Sequence, residues 1–184
     1  KINFDFKIQD SQKFYVERID IFGNFNTLEE VIRNKLIVDE GDPLNELLYN
    51  KSIDRVRSTG FFKNVKSEII DGSSTTEKII NITVEEQATG EISMGAGYGT
   101  SGSMIGGGIT EKNFLGKGIN LDTNIEISEE SVKGQFIYAK PNFNYSDNTL
   151  FTSIRATSTD NLTDFGYKTS DTGFSVASRF EQYE

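Results

Sequence analysis

A few groups of residues have types and spacing that invite a chemical reading. Gly95, Gly97 and Gly99 recur at every second position, and glycine-rich loops are common phosphate cradles. Such a cradle needs a helix directly after it and a Lys-Ser/Thr pair, and neither follows here. Asp122, Asn124 and Glu126 put acidic and amide groups on one strand face, which could collect a cation. The same spacing is also what a strand with one wet face carries, and that is the expected reading. Serine and threonine are abundant, but histidine and cysteine are both absent. The usual general base, the thiolate nucleophile and the commonest zinc ligands are therefore missing. No catalytic residue, metal or cofactor is expected, and the chain is read as something other than an enzyme. Glu85-Glu86 and Glu129-Glu130 read as solvated strand ends, and Glu40 sits in the break between two helical patterns.

The formal net charge is −9 with no basic cluster, which argues against a nucleic-acid partner. No stretch of about 18 apolar residues occurs, so a transmembrane helix is excluded. A membrane is not excluded, because a barrel strand turns only every second residue to lipid and keeps average hydropathy low. The absence of cysteine leaves the redox compartment open. Ile2, Phe4, Phe6 and Ile8 alternate with polar residues from the first position, so a strand over Lys1–Ile8 begins in mid-pattern. The chain is expected to be a piece of a longer protein.

The elements that would position these residues change character near Ala88–Gly90. Before that point, Phe14–Phe22 reads as a strand with Phe14, Val16, Ile19 and Ile21 inward, broken by Gly23-Asn24. Thr27 with Glu30 suggests a capping box ahead of a helix carrying Leu28, Val31, Ile32, Lys35 and Leu36 on one face. Glu40-Gly41-Asp42-Pro43 ends that helix. Asn45 caps a second one, with Leu48, Tyr49, Ser52, Ile53, Val56 and Thr59 inward and Gly60 at its end. Phe61–Ile70, a turn over Asp71–Thr75 and Lys78–Glu85 complete an order of strand, helix, helix, strand, strand.

After Ala88 no helical period returns. Ile92, Met94, Ala96 and Tyr98 alternate with Ser93, Gly95, Gly97 and Gly99. Further alternating runs cover Met104–Thr110, Ile119–Ile127, Val132–Lys140, Leu150–Thr157 and Phe174–Phe180. Breaks fall at Asn113–Gly118 and Pro141–Asn148, and a polar loop is expected over Ser158–Ser170. Runs of this length suit tilted strands crossing a bilayer. About six strands are too few to close a barrel of ordinary shape.

Phe14-Tyr15-Val16, Gly23-Asn24 and Gly60-Phe61-Phe62-x-x-Val65 together resemble the POTRA repeat next to the barrel in the BamA family of outer-membrane protein assembly factors. Gly95-x-Gly97-Tyr98-Gly99-Thr100, Asn113-Phe114-Leu115-Gly116-x-Gly118 and Pro141-x-Phe143 continue the resemblance into the opening barrel strands, with Phe114 where the family commonly has Trp. The resemblance implies an α+β POTRA domain (β-α-α-β-β) over residues 11–87. The last strand of a preceding repeat would lie at 1–10, and antiparallel strands of an incomplete β-barrel at 88–184. It further implies an outer-membrane location with the POTRA part in the periplasm, and a function in inserting barrel proteins. Its partners would be unfolded outer-membrane protein precursors, periplasmic lipoproteins and outer-membrane lipid.

Glu91, Ile92, Ser93, Met94, Gly95, Ala96, Gly97, Tyr98 and Gly99 would form a lateral-gate strand, loosened by glycines that face the lumen. Glu40 matches a family position where a lipoprotein docks; the alternative is a solvated turn residue, since exposed ion pairs contribute little. A translocation pore for a secreted partner, an autotransporter-assembly pore and a passive porin with a periplasmic domain are the rival functions. Because Gln87–Gly90 leave little slack, a long flexible linker inserted at Thr89 is expected to impair assembly while both halves stay folded; liposome assembly assays check this.

Overall fold

The computed structural model describes residues 12–99 and 102–180; the strand expected over Lys1–Ile8 lies outside them. The chain forms two compact units. Among the described residues, one takes in 12–24 together with Lys35–Glu85, the other Phe25–Asn34 and those from Glu86 to Phe180.

The first unit is built on a three-stranded sheet of β1 (Tyr15–Phe22), β2 (Phe62–Asp71) and β3 (Glu77–Glu86), in the order β1-β3-β2 with β1 parallel to β3. Ile80, Ile82 and Val84 alternate along the central strand and are all buried. Val16 and Ile19 are buried too, although they are three positions apart. The β1 register shifts between Val16 and Arg18, and this bulge brings both side chains inward where simple alternation would oppose them.

The order of elements matches the sequence expectation: α1 (Glu29–Arg33) and α2 (Glu46–Ser58) fall between β1 and β2. Asn45 caps α2, its side chain accepting from Leu47 N at 3.0 Å and Leu48 N at 3.2 Å. On the inner side of α2, Ser52, Ile53 and Val56 are buried. The Ser52 hydroxyl is satisfied there, accepting from Ile37 N at 2.8 Å and donating to Leu48 O at 2.9 Å. One local expectation fails. The N-cap of α1 is Leu28, which makes no side-chain cap, not Thr27. The Thr27 hydroxyl is engaged by a residue far along the chain.

The second unit carries six strands in sequential order: β4 (Gly90–Gly99), β5 (Gly102–Phe114), β6 (Ile119–Ser128), β7 (Ser131–Lys140), β8 (Thr149–Asn161) and β9 (Tyr167–Arg179). Each is antiparallel to the next. The register gathers residues of one kind into rows. Ile92, Ile109, Thr123, Phe136, Ile154 and Phe174 lie side by side across all six strands, and five of the six are large exposed apolar residues. The neighbouring row, Ser93, Gly108, Asn124, Gln135, Arg155 and Gly173, is polar or bare and faces the other way. One apolar and one wet face is the pattern of an outer-membrane barrel wall. The sheet is open, with β4 and β9 at its edges. Among the described residues no helix is long and apolar enough to cross a membrane, which says nothing against crossing by strands.

The polar loop expected over Ser158–Ser170 is mostly paired strand. β8 and β9 stay in register through Ser158↔Ser170, Thr159↔Thr169, Asp160↔Lys168 and Asn161↔Tyr167, leaving α3 (Leu162–Phe165) at the tip. Polar composition misled here, because threonine suits a strand and cross-strand polar pairs support one another. Lys168 Nζ lies 3.2 Å from Asp160 Oδ2.

Ile82 is 1% exposed on the central strand of the first unit. Ile82→Ala is expected to destabilise that unit by about 2–5 kcal/mol. Hydrogen exchange of its strand amides at rising urea would report the loss, with the six-stranded sheet unaffected.

Candidate functional site

The residues predicted as a gate strand, Glu91–Gly99, all fall in β4, at one edge of the six-stranded sheet. Ile92, Met94 and Tyr98 point outward and are 75%, 83% and 86% exposed. Of the ten β4–β5 pairs, six contain glycine: Gly90↔Glu111, Ser93↔Gly108, Met94↔Gly107, Gly95↔Gly106, Gly97↔Met104 and Gly99↔Gly102. A cross-strand side-chain pair contributes about 0.2–1 kcal/mol. This seam therefore leans on backbone hydrogen bonds with little side-chain support. The glycines are not equivalent. A methyl group at Gly108 would run into Asn124 Oδ1 and lie 3.1 Å from Thr123 O, whereas one at Gly95 would meet nothing within 4 Å. A side chain at 108 would have to displace the Asn124 amide, whereas 95 is open.

The residues just before β4 are tied down. The Glu86 carboxylate accepts from Asn26 N at 3.0 Å, Thr27 N at 2.6 Å and Asn26 Nδ2 at 2.8 Å. Burial raises its pKa, but the hydrogen bonds from Thr27 and Asn26 outweigh that and hold it below the ordinary glutamate value. Contributions of this sign are present above the unfolded-state pKa and are lost as pH falls through the lowered one. Glu86 is thus not the solvated strand end its sequence suggested, because the loop at Asn26–Thr27 folds onto it. Glu85 is exposed, 3.2 Å from Lys63 Nζ. Thr89 donates its hydroxyl to Glu111 Oε1 at 2.5 Å, and Thr89 O accepts from Lys112 N at 3.2 Å. Asn113 Nδ2 donates to Thr27 Oγ1 at 2.8 Å, and its Oδ1 accepts from Gly118 N at 2.7 Å.

Sequence reasoning missed this anchorage. Its members lie up to 86 positions apart, and only the Asn113–Gly118 motif hinted at it.

Glu40 is exposed, in the first unit, and its Oε1 accepts from Ile19 N at 3.0 Å. The same edge of β1 is paired further back by Gly41–Leu44. There Asp42 O accepts from Val16 N at 2.9 Å, Val16 O from Gly41 N at 2.7 Å and Phe14 O from Leu44 N at 2.8 Å. Glu40 continues that cover by one side-chain bond. On the wet sheet face, Asp122 accepts from Thr110 Oγ1 at 2.8 Å and from Asn124 Nδ2 at 2.5 Å, while Glu126 pairs with Lys133 at 2.9 Å. The acidic row is spent on its neighbours, and no cluster of metal-ligating groups occurs among the described residues.

A compact α+β unit leading into an open sheet with one apolar and one wet face defines the class: a POTRA domain followed by opening strands of an outer-membrane β-barrel. The POTRA family, described as a surface antigen variable number repeat, matches residues 14–87. The outer membrane protein assembly factor BamA of Neisseria meningitidis is 28% identical over 144 residues, covering 77% of this chain and 18% of that protein. The crystal structure of BamA from Haemophilus ducreyi lacking POTRA domains 1–3 superposes with a TM-score of 0.79 at 29% identity, over 89% of this chain and 32% of that one. CdiB from Acinetobacter baumannii shares the fold, with a TM-score of 0.57 at 16% identity over 91% of this chain and 33% of that one. Within the class the chain is BamA-like, spanning under a fifth of the length of the Neisseria relative. Its setting is the outer membrane, with the POTRA domain in the periplasm.

Removing the Glu40 carboxylate strips an acceptor from the β1 edge. Glu40→Ala is expected to speed amide exchange at Ile19 roughly fivefold. Glu40→Gln, which keeps an acceptor oxygen, should leave it close to the parent rate.

Proposed function

We propose that this chain holds the receiving domain and the gate strand of an outer-membrane protein insertase. The observation that carries the reading is the β4–β5 seam, where six of ten pairs contain glycine. A strand attached by backbone bonds and few side chains can exchange partners at low cost. An unfolded barrel precursor would first add as a strand to an open edge of the POTRA sheet, where β2 is the terminal strand. That mode of recognition needs no particular side chain. The precursor would then pair with β4 across Glu91–Gly99 and leave sideways into lipid. The driving force is backbone pairing plus burial of apolar strand faces in the bilayer, so neither a nucleotide nor an enzymatic step is involved.

Periplasmic lipoproteins are the expected attendants. A cationic group on one of them would meet Glu40 in competition with the Ile19 N–H. The fold shared with CdiB supports a second reading, a two-partner secretion pore that passes its substrate through the lumen.

The test uses the full-length protein in liposomes. A Cβ at position 95 meets nothing within 4 Å, and Gly95→Val adds a β-branched residue to the seam there. It is expected to slow assembly of a barrel precursor by up to about fivefold, the rate equivalent of the roughly 1 kcal/mol that strand propensities span. Passive ion conduction with no acceleration of precursor folding would sink the insertase reading.

A further inference from the structure

Resting on the reading of β4 as the gate strand, we propose that Phe25–Asn34 is a bracket that sets the register of β4, with Glu86 and Asn113 as its two fastenings. These ten residues lie inside the stretch matched as POTRA, yet by their contacts they belong to the six-stranded unit. They hold only one short helix, and the other POTRA elements surround them in sequence.

The first fastening is Glu86, whose carboxylate takes both backbone N–H groups of Asn26 and Thr27 and the Asn26 amide. Charge-assisted bonds to backbone donors are among the stronger hydrogen bonds. The second runs through the β5–β6 turn. Leu28 N donates to Gly116 O at 2.9 Å, and Asn113 Nδ2 donates to Thr27 Oγ1, with Thr27 only 3% exposed. Gly116 is buried at a φ of +69°, and a Cβ there would overlap the Asn26 carbonyl oxygen, so the turn and the bracket meet backbone to backbone. Asn113 N then donates to Glu111 Oε1 at 2.7 Å, the oxygen that also takes the Thr89 hydroxyl. A continuous run of hydrogen bonds thus joins Asn26–Leu28 to Thr89, the residue before β4, while Glu86 fixes the chain on the other side of Gln87-Ala88.

The need for such a bracket follows from the seam itself. Register in a sheet is set by the hydrophobic pattern and by turn geometry, and glycine-rich strands specify it weakly. Between β4 and β5 that pattern is thinned: six of the ten pairs contain glycine, with Gly95 opposite Gly106 and Gly99 opposite Gly102. An incoming strand that pairs with β4 inherits whatever register β4 holds, and a slip of one residue turns every side chain to the wrong face of the membrane. Fixing the start of β4 supplies the register its glycines cannot. Glu86, Thr27 and Asn113 are therefore positioning residues that act through β4.

Disulfide trapping in the full-length protein reads the register directly and needs no assembly activity. Ala96 is opposite Ile105, and a slip of two residues would bring it opposite Ser103. With cysteines at 96 and 105, or at 96 and 103, the otherwise unaltered protein should cross-link strongly only through the first pair. Adding Asn113→Ala, or Glu86→Ala, should raise the yield of the slipped 96–103 pair several-fold at the expense of 96–105. Thr27→Ser, which keeps the hydroxyl, should restore nothing to slip. Should the alanine variants lose the compact barrel seen on unheated gels, Thr27→Val removes only the hydroxyl and serves the same comparison. An unchanged 96–105 preference in a folded Asn113→Ala, Glu86→Ala or Thr27→Val protein would overturn the bracket. Failure of the parent to assemble precursors would count against the insertase alone.

Discussion

Inside hydrocarbon no water is available to satisfy a backbone N–H or C=O, so every strand that enters the bilayer must have its polar groups paired by a neighbour. The rest of this structure follows from that constraint. Six strands of 10–13 residues lie in sequential antiparallel order because a hairpin is the shortest way to give each strand its neighbour. The row from Ile92 to Phe174 is apolar because it meets lipid, and the row from Ser93 to Gly173 is polar or bare because it does not. An edge strand is where the constraint is sharpest, and β4 lies at an edge of the six described strands.

The composition of β4 sets two requirements against each other. Few side chains on its inner face and on the facing part of β5 keep the seam light, as the proposed gate requires. The same bareness leaves only four pairs with side chains on both strands to hold β4 in one register. The fastened start of the strand reconciles these. Glu86, Thr89 and Glu111 hold the few residues ahead of β4, while Gly95 has nothing packed against its Cα on the wet side. Side-chain hydrogen bonds are concentrated at one end of the strand, and side-chain pairing is sparse along its length.

The alternation of Ile119–Ile127 against Asn120, Asp122, Asn124 and Glu126 was enough to place β6 and its two faces, and the Asn45 cap and inward face of α2 were equally legible. Local signals such as these depend on neighbours within a turn or a strand pleat. They failed wherever a distant group competed. Val16 and Ile19 were expected inward and are buried, but the β1 bulge that lets both face the core was not legible in the sequence. Thr27 looked like a helix cap, but its hydroxyl is taken by Asn113. Serine and threonine over 158–170 read as loop, but each strand supplied the partner that made the other regular.

The sequence by itself determined the kinds of element and the chemistry of their faces: a strand-helix-helix-strand-strand unit, then half-apolar strands of membrane-crossing length, with neither histidine nor cysteine. Periodicity and composition are properties of the chain and survive without knowledge of the fold. Only the tertiary structure decided that Phe25–Asn34 belongs with the barrel strands, that Glu86 is a fastening, and that Glu40 continues the cover of a sheet edge. Each of those depends on a hydrogen bond between groups 21 to 86 positions apart. The position of a carboxylate in sequence carries no information about which backbone N–H the fold will bring to it.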